Sequence, residues 1–379
     1  MHSNVVRIRS WLSDAALPLW SDVGVDRKNG GFVERLTLSA EPDLAVTKRL
    51  RVQARQIYVF SHASLLGLNE NAAETASQGY RFLIENGCPD GVEAGFVHAL
   101  HRDGAVADDR RDSYDHAFIL FALSWYHRAT GDPAIPALLR RVTDAIWQLL
   151  RHPGGEGFLI DTRGSLELHQ NPHMHLFEAV LAAFEATQDA WFLDRANELF
   201  TLFRTRIFDR EHGVVREFHD AQWQPLAGGP GRIVEPGHHC EWVWLLKRHA
   251  DRTGTTLCEE AWQLFDFAER HGRPRGSVLL CDQLRADGSL LKASTRSWPQ
   301  TEAIKADIAI AECRQETPGA RTDAIVDALF GHFLDSAPKG GWIDWIDADG
   351  APLVQAMPAS TFYHLFLAFS EYLAAHEPA

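Results

Sequence analysis

The feature that most constrains the fold is a short glycine motif that recurs six times, at intervals of about sixty residues. In each copy a glycine precedes mostly apolar residues, which predicts a short strand that ends in a turn. Three turns of the hairpin type follow, because the glycine of an Asp-Gly pair supplies the positive φ that the turn needs; they are Asp103-Gly104, Asp287-Gly288 and Asp349-Gly350. The six copies begin at Gly31, Gly95, Gly157, Gly213, Gly276 and Gly341.

The segments between the motifs are predicted to be helical, since their apolar residues recur with a period of 3.6 and each interval has room for two helices. One set lies near residues 46–67, 111–129, 172–188, 237–253, 296–314 and 359–375, and the second near 4–20, 72–86, 134–151, 190–207, 256–271 and 321–335. Helical hairpins without capping repeats bury their ends by closing on themselves. We therefore predict an all-α (α/α)6 barrel, one domain over residues 1–379, with short β-hairpins at one end.

Composition and charge exclude several classes of protein. A formal net charge of −14 disfavours nucleic acid and anionic membranes. No apolar run approaches the roughly 18 residues of a membrane span, and the N-terminus lacks the pattern of a secretory signal. Five cysteines without a C-x-x-C pair disfavour a disulfide framework. We expect a cytoplasmic monomer or homodimer with no nucleic-acid or membrane partner.

Polar residues on the first set of helices predict a site in the barrel mouth. They recur about one repeat apart, so they converge on one axis if the barrel closes. Aromatic planes beside polar groups in a concave mouth are typical of a sugar site. The residues are Arg51, Arg55, Tyr114, His116, His173, His175, Glu178, His238, Glu241, Trp298, Glu302 and His364.

Two of these histidines are candidates for proton transfer. His238 begins a predicted helix and shares one face with Glu241 and Trp244, which follow at intervals of three. His364 lies in an aromatic segment that would face the barrel axis. An imidazole can take or give a proton near neutral pH, although each histidine could instead be a buried structural residue.

The remaining candidates have both functional and structural interpretations. Arg51 and Arg55 align on one helix face, where they either form salt bridges or stabilise an oxyanion. Trp298 and Glu302 could present a stacking plane beside a hydroxyl acceptor, or simply pack. The pair His175 and Glu178, like His238 and Glu241, suits either a metal or a hydrogen-bond network. Without an H-E-x-x-H motif or a glycine-rich nucleotide motif, we expect no metal and no cofactor.

Five segments resemble the N-acylglucosamine 2-epimerase superfamily, and within it the mannose isomerase branch. The match runs from about residue 5 to 375, with the segments in the order of the repeats. They are Arg51-x-Gln53-Ala54-Arg55, Asn171-Pro172-His173-Met174-His175, Glu235-Pro236-Gly237-His238, Trp298-Pro299-Gln300-x-Glu302 and Tyr363-His364-Leu365. Members have an (α/α)6 barrel, so the resemblance implies the fold that the repeats predict.

The resemblance also implies metal-free proton transfer at C1 and C2 of an aldose, by histidines that match His238 and His364. It implies that Arg55, His175, Glu241, Trp244, Trp298 and Glu302 shape and polarise the pocket. Removing the C2 proton of an open-chain aldose leaves an enediolate, whose charge Arg55 and His175 can stabilise. Returning the proton to C1 gives a ketose, whereas returning it to the other face of C2 gives the epimer. We expect an aldose–ketose isomerase that interconverts mannose and fructose.

Four alternatives stay open on the sequence. The first is a 2-epimerase acting on glucose, cellobiose or an N-acylhexosamine. The second is an isomerase of a sulfonated sugar, with Arg232 contacting the anion. The third is an inverting glycosidase, in which Glu241 and Glu302 would lie about 6.5–9.5 Å apart. The fourth is a sugar-binding barrel without activity. Neither the exact sugar, the role of each histidine, nor a regulatory nucleotide is determined by the sequence.

Overall fold

The computed structural model describes residues 3–377 and contains two sets of six helices in this part of the chain. The first helix, α1, runs through Ser3–Trp11, Leu12–Ala16 and Leu17–Asp22, with a π-helical turn in the middle. The others are α2 Leu50–Leu65, α3 Ala72–Gly87, α4 Ser113–Thr130, α5 Ile135–Leu149, α6 Gln170–Thr187, α7 Ala190–Leu202, α8 Pro236–Thr253, α9 Glu259–His271, α10 Ser297–Arg314, α11 Ala320–Leu329 and α12 Thr361–His376.

The even-numbered helices form a closed inner ring. Each contacts the next even-numbered helix, and α12 returns to contact α2. The odd-numbered helices lie outside, and most of them pack on the inner helix of the same repeat. The inner helices are buried on nearly all sides over their first three turns, whereas α5 and α9 bury one stripe. The (α/α)6 barrel predicted from the repeats is confirmed.

The strands are short and link neighbouring repeats. They are β1 Arg35–Thr37, β2 Lys48–Arg49, β3 Ala99–Leu100, β4 Val106–Asp108, β5 Leu168–His169, β6 Phe208–Asp209, β7 Val214–Val215, β8 Phe218–His219, β9 Ile233–Val234, β10 Gln283–Arg285, β11 Leu290–Lys292, β12 Thr295–Arg296, β13 Trp345–Ile346 and β14 Ala356–Pro358. The antiparallel pairs β2–β3, β5–β8, β9–β10, β12–β13 and β1–β14 join segments that lead into adjacent inner helices. A bridge between Asp112 and Asp161 joins the second and third repeats, so the ring of links is complete.

The expectation that a strand follows each motif glycine is wrong for most copies. Only Val214–Val215 follows its glycine directly as a strand, and other strands lie several residues further on. The predicted Asp-Gly turns do close two hairpins, β3–β4 and β10–β11, with φ of 91° at Gly104 and 81° at Gly288. The motif glycines therefore serve another purpose.

At Gly31, Gly95 and Gly157 that purpose is to let a backbone N–H reach a side chain at the start of the inner helix. In five of the six repeats, over the described residues, a His Nε2 or Gln Oε1 accepts the N–H of a residue soon after the glycine. A Cβ at Gly157, whose φ is 80°, would lie 2.8 Å from His173 Nε2, so only glycine suits this approach. The pairs are Gln53 with Phe32 (2.7 Å), His116 with Phe96 (2.9 Å), His173 with Phe158 (2.8 Å), His239 with Val215 (3.0 Å) and Gln300 with Leu280 (2.8 Å).

An apolar core fills the space between the two rings and runs through all six repeats. It closes the ring at the junction of the first and last repeats, where Trp20 of α1 stacks on Trp342 with 4.7 Å between ring centroids. Trp20 also donates to the carbonyl of Gly340 at 3.2 Å. Within residues 3–377, no helix combines the length and apolar character needed to cross a membrane.

Candidate active site

A cavity of about 460 Å³ opens at the end of the barrel where the strands lie. The inner helices begin at this end, so their first two turns supply most of its wall. Loops and strands supply the rim, including Ile160, His169, Phe218, Arg296 and Pro358. Inner-helix side chains that line it are Arg51, Arg55, Tyr114, Asn171, His175, His238, Glu241, Trp298, Thr361 and His364. The mouth of the barrel is therefore a polar pocket of the size that holds small ligands.

His238 lies in the wall between two carboxylates. Its Nδ1 donates to Glu217 Oε1 at 2.9 Å, and Glu235 Oε2 lies 3.6 Å from the same nitrogen. Burial by itself lowers the pKa of His238, but its contacts with Glu217 and then Glu235 outweigh burial and raise the pKa to about 9. His238 is therefore an imidazolium near neutral pH.

His364 also lies near Trp298, and its pKa is shifted in the opposite direction. Its Nδ1 is 2.8 Å from Glu302 Oε1, and burial, then Arg55 and other nearby cations, hold its pKa well below the usual value. The Trp298 ring centroid lies 4.7 Å from that of His238 and 5.8 Å from that of His364. The cavity thus has a cationic histidine and a neutral one near the same indole.

Arg55 contributes a fixed positive charge to the same cavity. Its guanidinium donates to the Tyr114 hydroxyl at 2.7 Å and to the carbonyl of Ser360 at 3.2 Å. It lies 3.9 Å from the ring centroid of Phe118. Three aromatic rings surround the guanidinium, and Arg55 lines the cavity without a carboxylate partner among the described residues.

His175 and Glu241 form a third polar group in the wall. His175 Nδ1 lies 3.0 Å from Glu178 Oε2 and 3.8 Å from Glu241 Oε1. Burial lowers the pKa of His175 to about 4 despite Glu178. Burial and the nearby Glu302 raise the pKa of Glu241 well above its usual value. We infer a neutral imidazole beside a protonated carboxyl group.

Six predicted site residues do not line the cavity, among them His173, which accepts the Phe158 N–H, and Glu178, which contacts His175. His116 is fully buried and bound on both ring nitrogens, since Nε2 accepts from Phe96 N–H and Nδ1 donates to the Asp112 carbonyl at 2.7 Å. Arg232 is exposed in a 3-10 turn. Glu302 lies behind His364, and Trp244 lies deeper, with its indole N–H 3.3 Å from Glu371 Oε2. His116 and Arg232 do not line the cavity, and a role for them in substrate binding stays a prediction.

The structure also adds residues that the sequence patterns missed. Glu217 precedes β8 and reaches His238 from the loop 21 residues earlier in the chain, so helical spacing gave no signal. Glu235 stands directly before the Pro236 motif, and its side chain is 13% exposed. Lys305 follows Glu302 by three residues on an inner helix, a spacing that could have identified an ion pair. Its Nζ is 2.6 Å from Glu302 Oε2.

Four groups of side chains bring three possible metal-ligand atoms within 4.8 Å of one another in the described part of the chain. Two of them already contain a basic partner: Arg51 lies 3.4 Å from Asp115, and Lys305 lies 2.6 Å from Glu302. A positive side chain at this distance opposes a metal cation. The groups are His98, Asp112 and Asp115; His175, Glu178 and Glu241; Glu217, Glu235 and His238; and Glu241, Glu302 and His364. The expectation of a metal-free site stays a prediction.

The glycosidase alternative does not fit this geometry. Carboxylate oxygens of Glu241 and Glu302 lie within 4.8 Å of each other, which is shorter than the roughly 6.5–9.5 Å of an inverting pair. Glu302 is fully buried and does not line the cavity. These two residues therefore cannot stand on opposite sides of a glycosidic bond.

Comparison with known proteins agrees with this geometry. The model of the N-acylglucosamine 2-epimerase family matches residues 30–368. A protein named mannose-6-phosphate isomerase from Rhizobium meliloti (strain 1021) is 37% identical over 383 residues, which cover 98% of this chain and 97% of that protein. A D-mannose isomerase from Thermobifida fusca is 27% identical, over 79% of this chain and 78% of its own.

A solved structure has the same fold. Cellobiose 2-epimerase from Bacillus thermoamylovorans B4167 superposes with a TM-score of 0.85 at 21% identity, covering 98% of this chain and 99% of that one. At this identity the likeness concerns the barrel alone. Because the family model spans most of the chain and one relative matches almost all of it, the chain belongs to the N-acylglucosamine 2-epimerase family and is an enzyme of its sugar isomerase and epimerase type.

Proposed function

We propose that this enzyme interconverts D-mannose and D-fructose by moving a proton between C2 and C1 of the open-chain sugar. The observation that carries the proposal is the pair of histidines beside Trp298 with contrasting surroundings: His238 contacts Glu217, which raises its pKa, and burial lowers the pKa of His364. Two titratable groups whose surroundings drive their pKa values apart are typical of an acid and a base in one site.

His364 is the base in this proposal. With Nδ1–H donating to Glu302, the lone pair of Nε2 is free to take the C2 proton. The electrons of the C2–H bond form the C1–C2 double bond, and those of the C1 carbonyl move to its oxygen. The His364 imidazolium then gives the proton to C1. The O2 hydroxyl loses its proton as the C2 carbonyl forms, while O1 gains one, so atoms and charge balance.

The charge that develops on the enediolate has three sources of stabilisation. The Arg55 guanidinium lines the cavity and brings a positive charge to it. His238 carries a second positive charge. All six inner helices begin at this end of the barrel, and a helix N-terminus favours negative charge. Groups fixed in this way favour the transition state without reorganising during the reaction.

The states of the two histidines favour isomerisation over epimerisation. An epimerase exchanges protons on both faces of C2, and each face needs a group that can both take and give a proton. The carboxylates around His238 stabilise its cation and make it a weak acid. His238 therefore suits a hydrogen bond to a sugar oxygen, including the ring oxygen during opening, and His364 alone handles the carbon-bound proton.

The free hexose is the proposed substrate, although a relative is named mannose-6-phosphate isomerase. The rim carries Arg51 and Arg296, but it also carries Asp112, Glu217, Glu235 and Asp344. Arg51 lies 3.4 Å from Asp115, and Arg296 lies 3.4 Å from Asp282. Guanidinium groups already paired with carboxylates are poor receptors for a phosphate dianion.

Proton NMR of the purified enzyme in D₂O tests this proposal. Mannose, mannose 6-phosphate, glucose, cellobiose and N-acetylmannosamine are incubated separately, with and without EDTA. We expect fructose from mannose at the same rate in both conditions. Exclusive turnover of mannose 6-phosphate would contradict the choice of a free sugar. Formation of an epimer without a ketose would overturn the isomerase assignment.

A further inference from the structure

Lys305 is a buried lysine beneath the floor of the cavity. Its side chain is 0% exposed, and its Nζ lies 2.6 Å from Glu302 Oε2. The ammonium also lies 4.1 Å from the ring centroid of Trp244. Lysine is rarely buried completely unless it is paired. Because Lys305 does not line the cavity, contact with substrate does not explain its position.

The ammonium lies among more carboxyl groups than it can neutralise. Glu178, Glu241 and Glu302 are all buried and all act on its charge. Glu178 has partners of its own, since the Tyr363 hydroxyl donates to it at 2.5 Å and His175 contacts it at 3.0 Å. Glu241 and Glu302 are left to compete for one ammonium at close range.

Lys305 pairs with Glu302 rather than with Glu241. Lys305 contacts Glu302 directly, whereas both oxygens of Glu241 are buried without a hydrogen-bond partner among the described residues. Two like charges at this distance cannot both persist away from water. Glu241 therefore holds a proton and Glu302 stays ionised.

We propose that Lys305 is a positioning residue: it keeps Glu302 ionised and thereby holds His364 in the tautomer whose Nε2 lone pair faces the cavity. An ionised carboxylate only accepts hydrogen bonds, so the nitrogen 2.8 Å from Glu302 must carry the proton. A protonated Glu302 could donate to Nδ1 instead. The proton of a neutral imidazole would then lie on Nε2, where it blocks removal of the C2 proton.

Loss of the Lys305 ammonium should shift the pH dependence of kcat/KM in the same direction, whether Glu302 takes up a proton or stays ionised. If Glu302 takes a proton, the working tautomer forms only at a pH high enough to remove that proton. If Glu302 stays ionised, His364 loses a nearby positive charge and its own pKa rises. Both routes move the acid limb of kcat/KM to higher pH. The groups that face His364 are Arg55 from α2, His175 and Glu178 from α6, Glu241 from α8, and Glu302 and Lys305 from α10, with Tyr363 beside it.

The test rests on the proposed function and uses Lys305→Met, which keeps the length of the side chain without its charge. We expect kcat/KM for mannose to fall at least about tenfold at acidic pH and to recover as pH rises, with the acid limb moved up by about one pH unit or more. Lys28→Met, at an exposed lysine, is the matched control and should keep the wild-type profile. A uniform loss at every pH would overturn the proposal, because that result indicates a structural role alone.

A double variant separates action through Glu302 from an independent effect. We expect Lys305→Met combined with Glu302→Gln to lose no more activity than Glu302→Gln alone. Losses that multiply would contradict a route through Glu302.

A measurement on the wild-type enzyme needs neither substrate nor a stable variant. With ¹⁵N-labelled histidine, and with His364→Gln for assignment, we expect the Nε2 resonance of His364 to be that of a nitrogen without a proton. A proton on Nε2 would overturn the proposal even if Lys305→Met does not fold. If the wild type turns over no mannose, the proposed function fails, while this spectrum still tests the tautomer.

Discussion

Glu217→Gln tests the charge assignment at the site. The carboxylate of Glu217 is the closest negative group to His238, because Glu217 Oε1 lies 2.9 Å from His238 Nδ1. Glutamine keeps the shape and an oxygen acceptor but removes the charge. Because burial alone lowers the pKa of His238, the cation depends on the carboxylates around it. The substitution removes the charge of Glu217, the nearest of these carboxylates.

The expected change follows from the strength of a charged hydrogen bond. Such a bond contributes roughly 1.5–3 kcal/mol, and about 1.4 kcal/mol corresponds to one pH unit in pKa. The pKa of His238 should therefore fall from about 9 to roughly 7–8. A histidine with a raised pKa stabilises the fold fully below its unfolded value of about 6.5, and this contribution is lost as pH rises through the folded pKa. In Glu217→Gln, the stabilising contribution of His238 should be lost at a lower pH than in the wild type.

The assay is kcat/KM for mannose as a function of pH. In the wild type the alkaline limb should lie near pH 9, where His238 loses its proton. In Glu217→Gln it should move to about pH 7–8. Glu211→Gln, at an exposed carboxylate in a nearby turn, is the control and should leave the limb in place. An unmoved limb in Glu217→Gln would refute the role given to the His238 cation.

Three further predictions follow from the same structure. His364→Gln should lower kcat by about 10²–10⁴-fold, because it removes the base. The rate is measured by fructose formation, and circular dichroism checks folding. A variant that keeps a tenth of the wild-type rate would contradict the assignment of His364 as the base. Dialysis against EDTA should leave kcat unchanged, because Lys305 opposes a metal ion beside Glu302, and a loss restored by one metal would contradict this. His116→Ala should lower the free energy of unfolding by about 1–3 kcal/mol, because the Phe96 N–H loses its acceptor. Urea titration measures this loss, with His101→Ala at an exposed histidine as the control. A changed KM without destabilisation would contradict a structural role for His116.

Much of the fold could be predicted from periodicity. The recurrence of the glycine motif and the 3.6-residue spacing between copies are local properties, and both persisted in the folded chain. The six inner segments were recognised by polar residues at positions that a packed helix would fill with apolar ones. His238, His364, Arg55 and His175 were identified in this way, and all four line the cavity.

Adjacent histidines show where periodicity stops being informative. In the segment from His173 to His175, and again at His238 and His239, residues one or two apart cannot share a helical face. Which member points into the cavity depends on where the glycine loop of the same repeat approaches the helix. His173 and His239 accept backbone N–H groups at 2.8 and 3.0 Å, and their neighbours line the cavity.

The sequence by itself therefore determined the number of repeats, the two rings of helices and most of the residues in the wall, because these follow from spacing along one helix. Only the tertiary structure decided the protonation states. His238 is charged because Glu217 reaches it from a loop, and His364 is neutral first because it is buried and then because Arg55 and Lys305 approach it from two other helices. Burial and charge act through space, between groups brought together only when the ring closes.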